Sequence, residues 1–237
     1  MTSDKSDKTV ATLLERHGRQ YAEDAGIRLA DKPGPLYQLL VLATLLSARI
    51  SADIAVAAAR ELFAAGYRTP KAMIEASWQD RVDALGRGHY RRYDERTATM
   101  LGDGAALLVH RWHGDLRRLR EEAGRREEAG RREEAGGTTP IIAGLLTEFP
   151  GIGPAGASIF LREVQGVWPG VSPYVDALMI RGARKVGLPA EPADLTNVLS
   201  ASGEPARLAA ALVRVALSDR VAGEVAAALS RSPSAGG

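Results

Sequence analysis

The residues with the clearest chemical content are Phe149-Pro150-Gly151-Ile152-Gly153-Pro154-Ala155-Gly156-Ala157, set between two stretches of helical spacing. Pro150 stops one helix, Gly151 and Gly153 permit positive φ and close backbone approach, and Pro154 starts the next. Ile152 is placed to plug the gap between the helices. Such a turn aims free backbone N–H groups outward at a helix N-terminus, which is an anion site suited to one DNA phosphate. An ordinary αα-hairpin, with Gly and Pro serving geometry alone, accounts for these residues equally well.

Other chemistry-bearing types are sparse. His110 and His113 are the only histidines at metal-like spacing; with no third ligand nearby they read as a solvated helix end. Arg87, Arg91, Arg92 and Arg96 interleave with Tyr90 and Tyr93, which fits either a phosphate-contacting stripe or a solvated face with aromatic anchors. The three Trp read as core or crevice residues. Cysteine is absent, which excludes a disulfide framework, a thiolate nucleophile, and Cys-ligated zinc or iron–sulfur centres.

The elements that must position these residues are helical. Leu36, Leu39, Leu40, Ala43 and Leu46 follow helical spacing after the rigid Asp31–Pro35 turn, and Ser51 caps a second helix that stops at Gly66. Thr69-Pro70 opens a third, Trp78 to Leu85 forms a short fourth, and Arg91 to His113 a long fifth. Ile141 to Phe149 and Ala155 to Gln165 flank the hairpin; further helices are expected over Val175 to Val186, Ala193 to Ser200 and Ala206 to Leu229. No run keeps a strand period, so the expected class is all-α. The 237 residues suffice for one large or two small domains; 45% hydrophobic and 25% charged residues fit a soluble globular chain. The net charge of +2 leans only weakly toward nucleic acid, and 26 of the 31 basic residues are Arg. The polar Met1–Lys8 start is neither a signal nor a transit peptide, and no apolar run reaches the ~20 residues of a membrane span. A soluble, cytoplasmic protein is expected.

Residues 119–136 repeat Arg-Glu-Glu-Ala-Gly at a period of six. That period does not match 3.6 residues per turn, so the Ala positions spiral around a helix, and each Gly costs about 1 kcal/mol relative to Ala. Residues 125–136 hold four Arg and four Glu. The segment is expected to be a solvated linker between two helices, in preference to a DNA-hugging arm.

Leu145 to Leu161 resembles the helix–hairpin–helix motif of the endonuclease III-like DNA glycosylase superfamily. The follow-on Val167-Trp168-Pro169-Gly170-Val171-Ser172-Pro173-Tyr174-Val175-Asp176 and Arg181 resembles the family's Gly/Pro-rich loop with its aspartate and downstream Arg. Upstream, Leu45-Leu46-Ser47-Ala48-Arg49-Ile50-Ser51-Ala52-Asp53 is similar to the family's Leu-Leu-Ser-Ala-Gln-Thr-x-Asp string. The resemblance spans roughly residues 36–187, with three motifs in order. It implies a two-lobed fold, with residues 36–165 forming a bundle that ends in the hairpin. Residues 1–35 and 166–229 would form the second lobe, leaving 230–237 as a disordered tail and the site in the cleft between lobes.

The same resemblance implies that Asp176 is catalytic. Gly151, Ile152, Gly153, Ala155 and Gly156 would contact DNA, along with Ser47, Arg49 and Arg181. Ala155 stands where bifunctional members carry the Schiff-base Lys, Lys185 lies on roughly the opposite helix face from Asp176, and no four-Cys cluster is present. Ala177 and Leu178 replace the usual Thr-His after the aspartate. The expected function is therefore monofunctional base excision from double-stranded DNA holding a damaged or mismatched base. The base is flipped out, Arg49 fills the vacated stack, and Asp176 assists hydrolysis without a metal or cofactor. The protein would act as a monomer, in the cytoplasm or at a nucleoid. The rival is a helix–hairpin–helix DNA-binding protein without catalysis.

Overall fold

The computed structural model describes residues 3–130 and 137–231, whose regular structure is all helical, with no strand among them. The chain divides into two compact units, residues 21–171 and residues 1–20 with 172–237. None of the described helices is long and apolar enough to cross a membrane.

The continuous unit is built on α3 (Pro33–Leu46), in which Leu36, Leu39, Leu40, Leu42, Ala43 and Leu45 are all buried. An apolar run of this kind has no solvent face, so neighbours must cover it on every side. They are α4 (Ala52–Ala64), α7 (Asp94–Trp112), α8 (Leu116–Gly130) and α10 (Pro154–Val164). The short helices α5 (Pro70–Glu75) and α6 (Trp78–Arg87) pack on α7, and α9 (Thr138–Leu146) packs on α8 and α10. Local signals set the boundaries. Ser51 and Thr69 accept from Ile54 N and Ala72 N, and Ser77 with Asp80 forms a capping box at α6.

The discontinuous unit centres on α13 (Pro205–Leu217), covered by α1 (Ser3–His17), α11 (Ala177–Lys185), α12 (Pro192–Ala201) and α14 (Asp219–Arg231). The Ala206–Leu229 stretch is two helices, because Ser218 is extended and its hydroxyl caps α14 through Val221 N. The Ser218-Asp219 pair is an N-cap signal that the continuous apolar spacing obscured.

The crossings between units fall at 20/21 and 171/172 instead of 35/36 and 165/166. Glu163 of α10, buried, accepts from Tyr21 N at 3.2 Å and Ala22 N at 3.0 Å, fixing α2 (Tyr21–Asp24) to the bundle. Trp168 packs edge-on against Phe160 and donates to Asp31 Oδ1 at 2.9 Å, which holds the segment after α10 in the same unit.

The repeat also departs from expectation, since residues 116–130 are helix. Leu116, Leu119 and Ala123 make one buried stripe, and Glu122 accepts from Trp112 Nε1 at 2.7 Å and Arg111 at 2.9 Å. Arg120 lies over the Trp168 ring at 4.9 Å and pairs with Asp31 at 3.0 Å. The spiral of the period still operates, for Ala129 is exposed. Tertiary contacts of the first copy thus outweigh the glycine penalty. Residues 131–136, and 232–237 of the expected tail, lie outside the described residues; Ser230 and Arg231 belong to α14.

Candidate functional site

The hairpin turns between α9 and α10 over residues 147–153. Phe149 is buried and stacks on Trp112 with ring centroids 5.4 Å apart, and Ile152 is 3% exposed, wedged between the helices as its position in the turn suggests. Gly151 has φ +83, so its backbone calls for glycine, and a Cβ there would have to displace the tip of the Met100 side chain, whose Sδ would lie 2.8 Å away. Gly156 is required by proximity: a Cβ would stand 2.4 Å from Ser47 Oγ. That contact seats the C-terminal end of α3 on the first turn of α10.

Gly153 differs from both. Its φ is −94, an added Cβ would meet nothing within 4 Å, and no side chain caps α10. The expected need for positive φ therefore holds at Gly151 and not at Gly153. The bare Cα leaves the start of α10 open to solvent, and Ala155, in its first turn, is exposed. The first-turn N–H groups of a helix lack intrahelical acceptors, and the partial positive charge there favours an anion.

Ser47 is the C-cap of α3, with Oγ donating to Ala43 O at 2.6 Å, and Arg49 is exposed two residues on. Ser47, Arg49 and Gly151 line one recess of about 260 Å³, together with Thr44, Ala48, Tyr93, Arg96, Thr97 and Met100. The sequence motifs at residues 45–53 and 149–157 therefore meet in space. Arg96, Tyr93 and Thr97 were not read as part of this site; the alternation of Arg and Tyr from 87 to 96 was the signal available.

That stripe resolves into different roles. Tyr90 is fully buried with its hydroxyl donating to Leu45 O at 3.4 Å, and burial pushes its phenol pKa up. Arg87 pairs with Glu61 at 3.0 Å, Arg92 lies over the Tyr93 ring at 5.3 Å, and Arg91 and Arg96 are exposed. Among the tryptophans, Trp112 and Trp168 are core, whereas Trp78 is 41% exposed and donates to Thr99. His113 is the left-handed C-cap of α7.

In the other unit, Asp176 is the N-cap of α11. Its Oδ1 accepts from Leu178 N at 2.9 Å and Met179 N at 3.0 Å, and the residue is half-buried. The backbone of α11 is held against α13 so closely that a Cβ on Gly182 would lie 2.0 Å from Leu212 O. Arg181 is exposed on the same helix. Lys185, at the far end, donates to Asp219 at 2.7 Å and to Ala216 O at 3.3 Å. Its hydrogen bond and charge hold the Asp219 carboxyl below the usual carboxylate range. An amine engaged in this way is not a free nucleophile.

Comparison of the chain with family models, curated proteins and solved structures found no match.

Proposed function

We propose that the chain is a monofunctional DNA N-glycosylase that excises a damaged or mispaired base. The observation that carries this reading is the uncapped start of α10 at Gly153, where neither φ nor packing calls for glycine. A side chain there would cover the N–H groups that a phosphate oxygen needs. The hairpin then grips the DNA backbone and supplies position without sequence information. Arg49, exposed at the loop after α3, has the length and planar head to fill the stack left by a flipped base.

Asp176 supplies the chemistry. Its carboxylate stabilises the positive charge that develops on the sugar as the bond from C1′ to the base nitrogen breaks. Water adds to C1′, its proton passes to the carboxylate, and the base departs with the bonding pair. The products are the free base and an intact abasic strand. Backbone N–H donors from Leu178 and Met179 fix the orientation of that carboxylate. The capping duty of Asp176 equally suits a protein that binds DNA without cutting the glycosidic bond, and base release separates the two readings.

The test is a screen of lesion-bearing duplexes, assayed for strand breaks with and without alkali. The wild-type protein is expected to yield breaks only after alkali, and borohydride to trap no covalent complex. Asp176→Asn, which keeps the cap, is expected to release base on the order of 100- to 1,000-fold more slowly. Undiminished release by that variant removes Asp176 from the chemistry; binding without release on every duplex selects the non-catalytic reading.

A further inference from the structure

Two recesses flank the connection between α6 and α7, and they differ in charge. The larger, about 460 Å³, is lined by Asp83 and Asp94 as well as Arg87 and Arg91, so its charges balance. The recess of about 260 Å³ is lined by Arg49 and Arg96 with no carboxylate. Among the described residues neither guanidinium has an ion-pair or hydrogen-bond partner. Two unpartnered cations facing one concavity repel each other unless an anion enters.

The other polar groups narrow the ligand. The Thr44 and Ser47 hydroxyls donate to Leu40 O and Ala43 O, so their protons are already committed. The donors left for a ligand include the two guanidinium forks and the Tyr93 hydroxyl. Such a set fits an acceptor-rich oxyanion, and a guanidinium matches phosphate with two parallel hydrogen bonds.

Arg96 is presented on a firmly anchored segment. Tyr90 is fully buried, Thr97 is 1% exposed, and a Cβ on Gly88 would lie 2.4 Å from Ala58 Cα. The connection is thereby pinned to α3 and α4, which lowers the ordering cost of binding. Gly151 of the hairpin forms part of the same recess wall. Gly151 is two residues from the start of α10, so a strand gripped there would have this recess close by.

We infer that the Arg49–Arg96 recess is a second phosphate subsite, in which Arg96 and Tyr93 hold a phosphodiester of the strand gripped by the hairpin. Arg49, which lines the same recess, adds its charge when its fork is not in the base stack. This inference rests on the DNA-binding reading above.

The test measures binding of an undamaged duplex by fluorescence anisotropy over a series of salt concentrations. Arg96→Ala is expected to flatten the slope of log K against log salt by about 0.9, the release of one phosphate's counterions. Arg96→Lys is expected to restore most of that slope, and Arg125→Ala, on the exposed face of α8, to leave it unchanged. An unchanged slope for Arg96→Ala, while Gly153→Asp weakens binding, overturns the subsite and leaves the hairpin reading standing. A wild-type protein that binds no duplex overturns both. A deoxynucleoside 5′-monophosphate titrated alone is expected not to saturate the recess. Saturation that disappears in Arg96→Ala assigns the recess to a free phosphate compound and overturns the strand assignment.

Discussion

Helices α10 and α11 each begin after a proline-containing turn, yet their N-termini are finished in opposite ways. At α11 the Asp176 carboxylate occupies the start of the helix and accepts two backbone N–H groups. At α10 the equivalent position is Gly153, with no side-chain acceptor. A self-capped end has its negative charge built in, whereas a bare end keeps its positive potential for something outside the chain. The difference teaches how the two helix starts are finished: one carries a fixed carboxylate, the other leaves its N–H groups without a side-chain acceptor.

The comparison breaks most severely if Asp176→Asn releases base normally, for then the built-in carboxylate is only a cap. Asn caps as well as Asp, so melting of this variant is expected to match the wild type despite the lost activity; Asp176→Ala should instead cost about 1 kcal/mol of stability. Next comes Gly182→Ala, which leaves the cap alone and pushes α11 off α13. Both contacting groups are backbone, so a loss of about 3 kcal/mol is expected in denaturant unfolding. A neutral result would mean that the two helices separate freely.

Gly153→Asp converts the bare end into a capped one. Its backbone is extended and the space is empty, so stability should rise by a few tenths of a kcal/mol. Duplex affinity should nonetheless fall roughly tenfold, since the new carboxylate occupies the phosphate position. Equal affinity for both proteins would remove the anion role from α10. The smallest effect is expected at Gly124, inside α8, where an added Cβ meets nothing within 4 Å. Gly124→Ala should raise stability by about 0.5–1 kcal/mol in thermal melts and leave duplex affinity untouched, which separates helix propensity from ligand effects.

What the sequence made legible follows from how local each signal is. Ser51, Thr69, Pro70 and the Gly151 turn act through neighbours a few residues away, and their helices start or stop near the expected places. The meeting of residues 47–49 with the hairpin had no local signal, because the Ser47–Gly156 contact joins distant parts of the chain. The helix over the repeat escaped because its stability comes from Leu116 ahead of the repeat, from Leu119 at its start and from Glu122 bonding to Trp112. Glu163 carries no local signal of its burial. Its burial depends on the backbone of Tyr21 and Ala22, 142 and 141 positions earlier. The neighbours of Arg96 were hidden for a related reason: its type was readable, but which concavity it would share was not.

The double crossing at 20/21 and 171/172 has a consequence for how the chain is made. The α1 helix leaves the ribosome well before its packing partners α13 and α14, which are synthesised after the whole of the other unit. Arg207 reaches Leu14 O across 193 positions, and Leu13 is fully buried only once α13 exists. At about 5–20 residues per second, the nascent α1 waits on the order of ten seconds or more with its apolar stripe uncovered. A helix of this length is marginal in water by itself, so it gains its order on docking. Translation thus lets the bundle around α3 close before α1 meets its partners, so the helix that emerged ahead of that bundle is fixed after it.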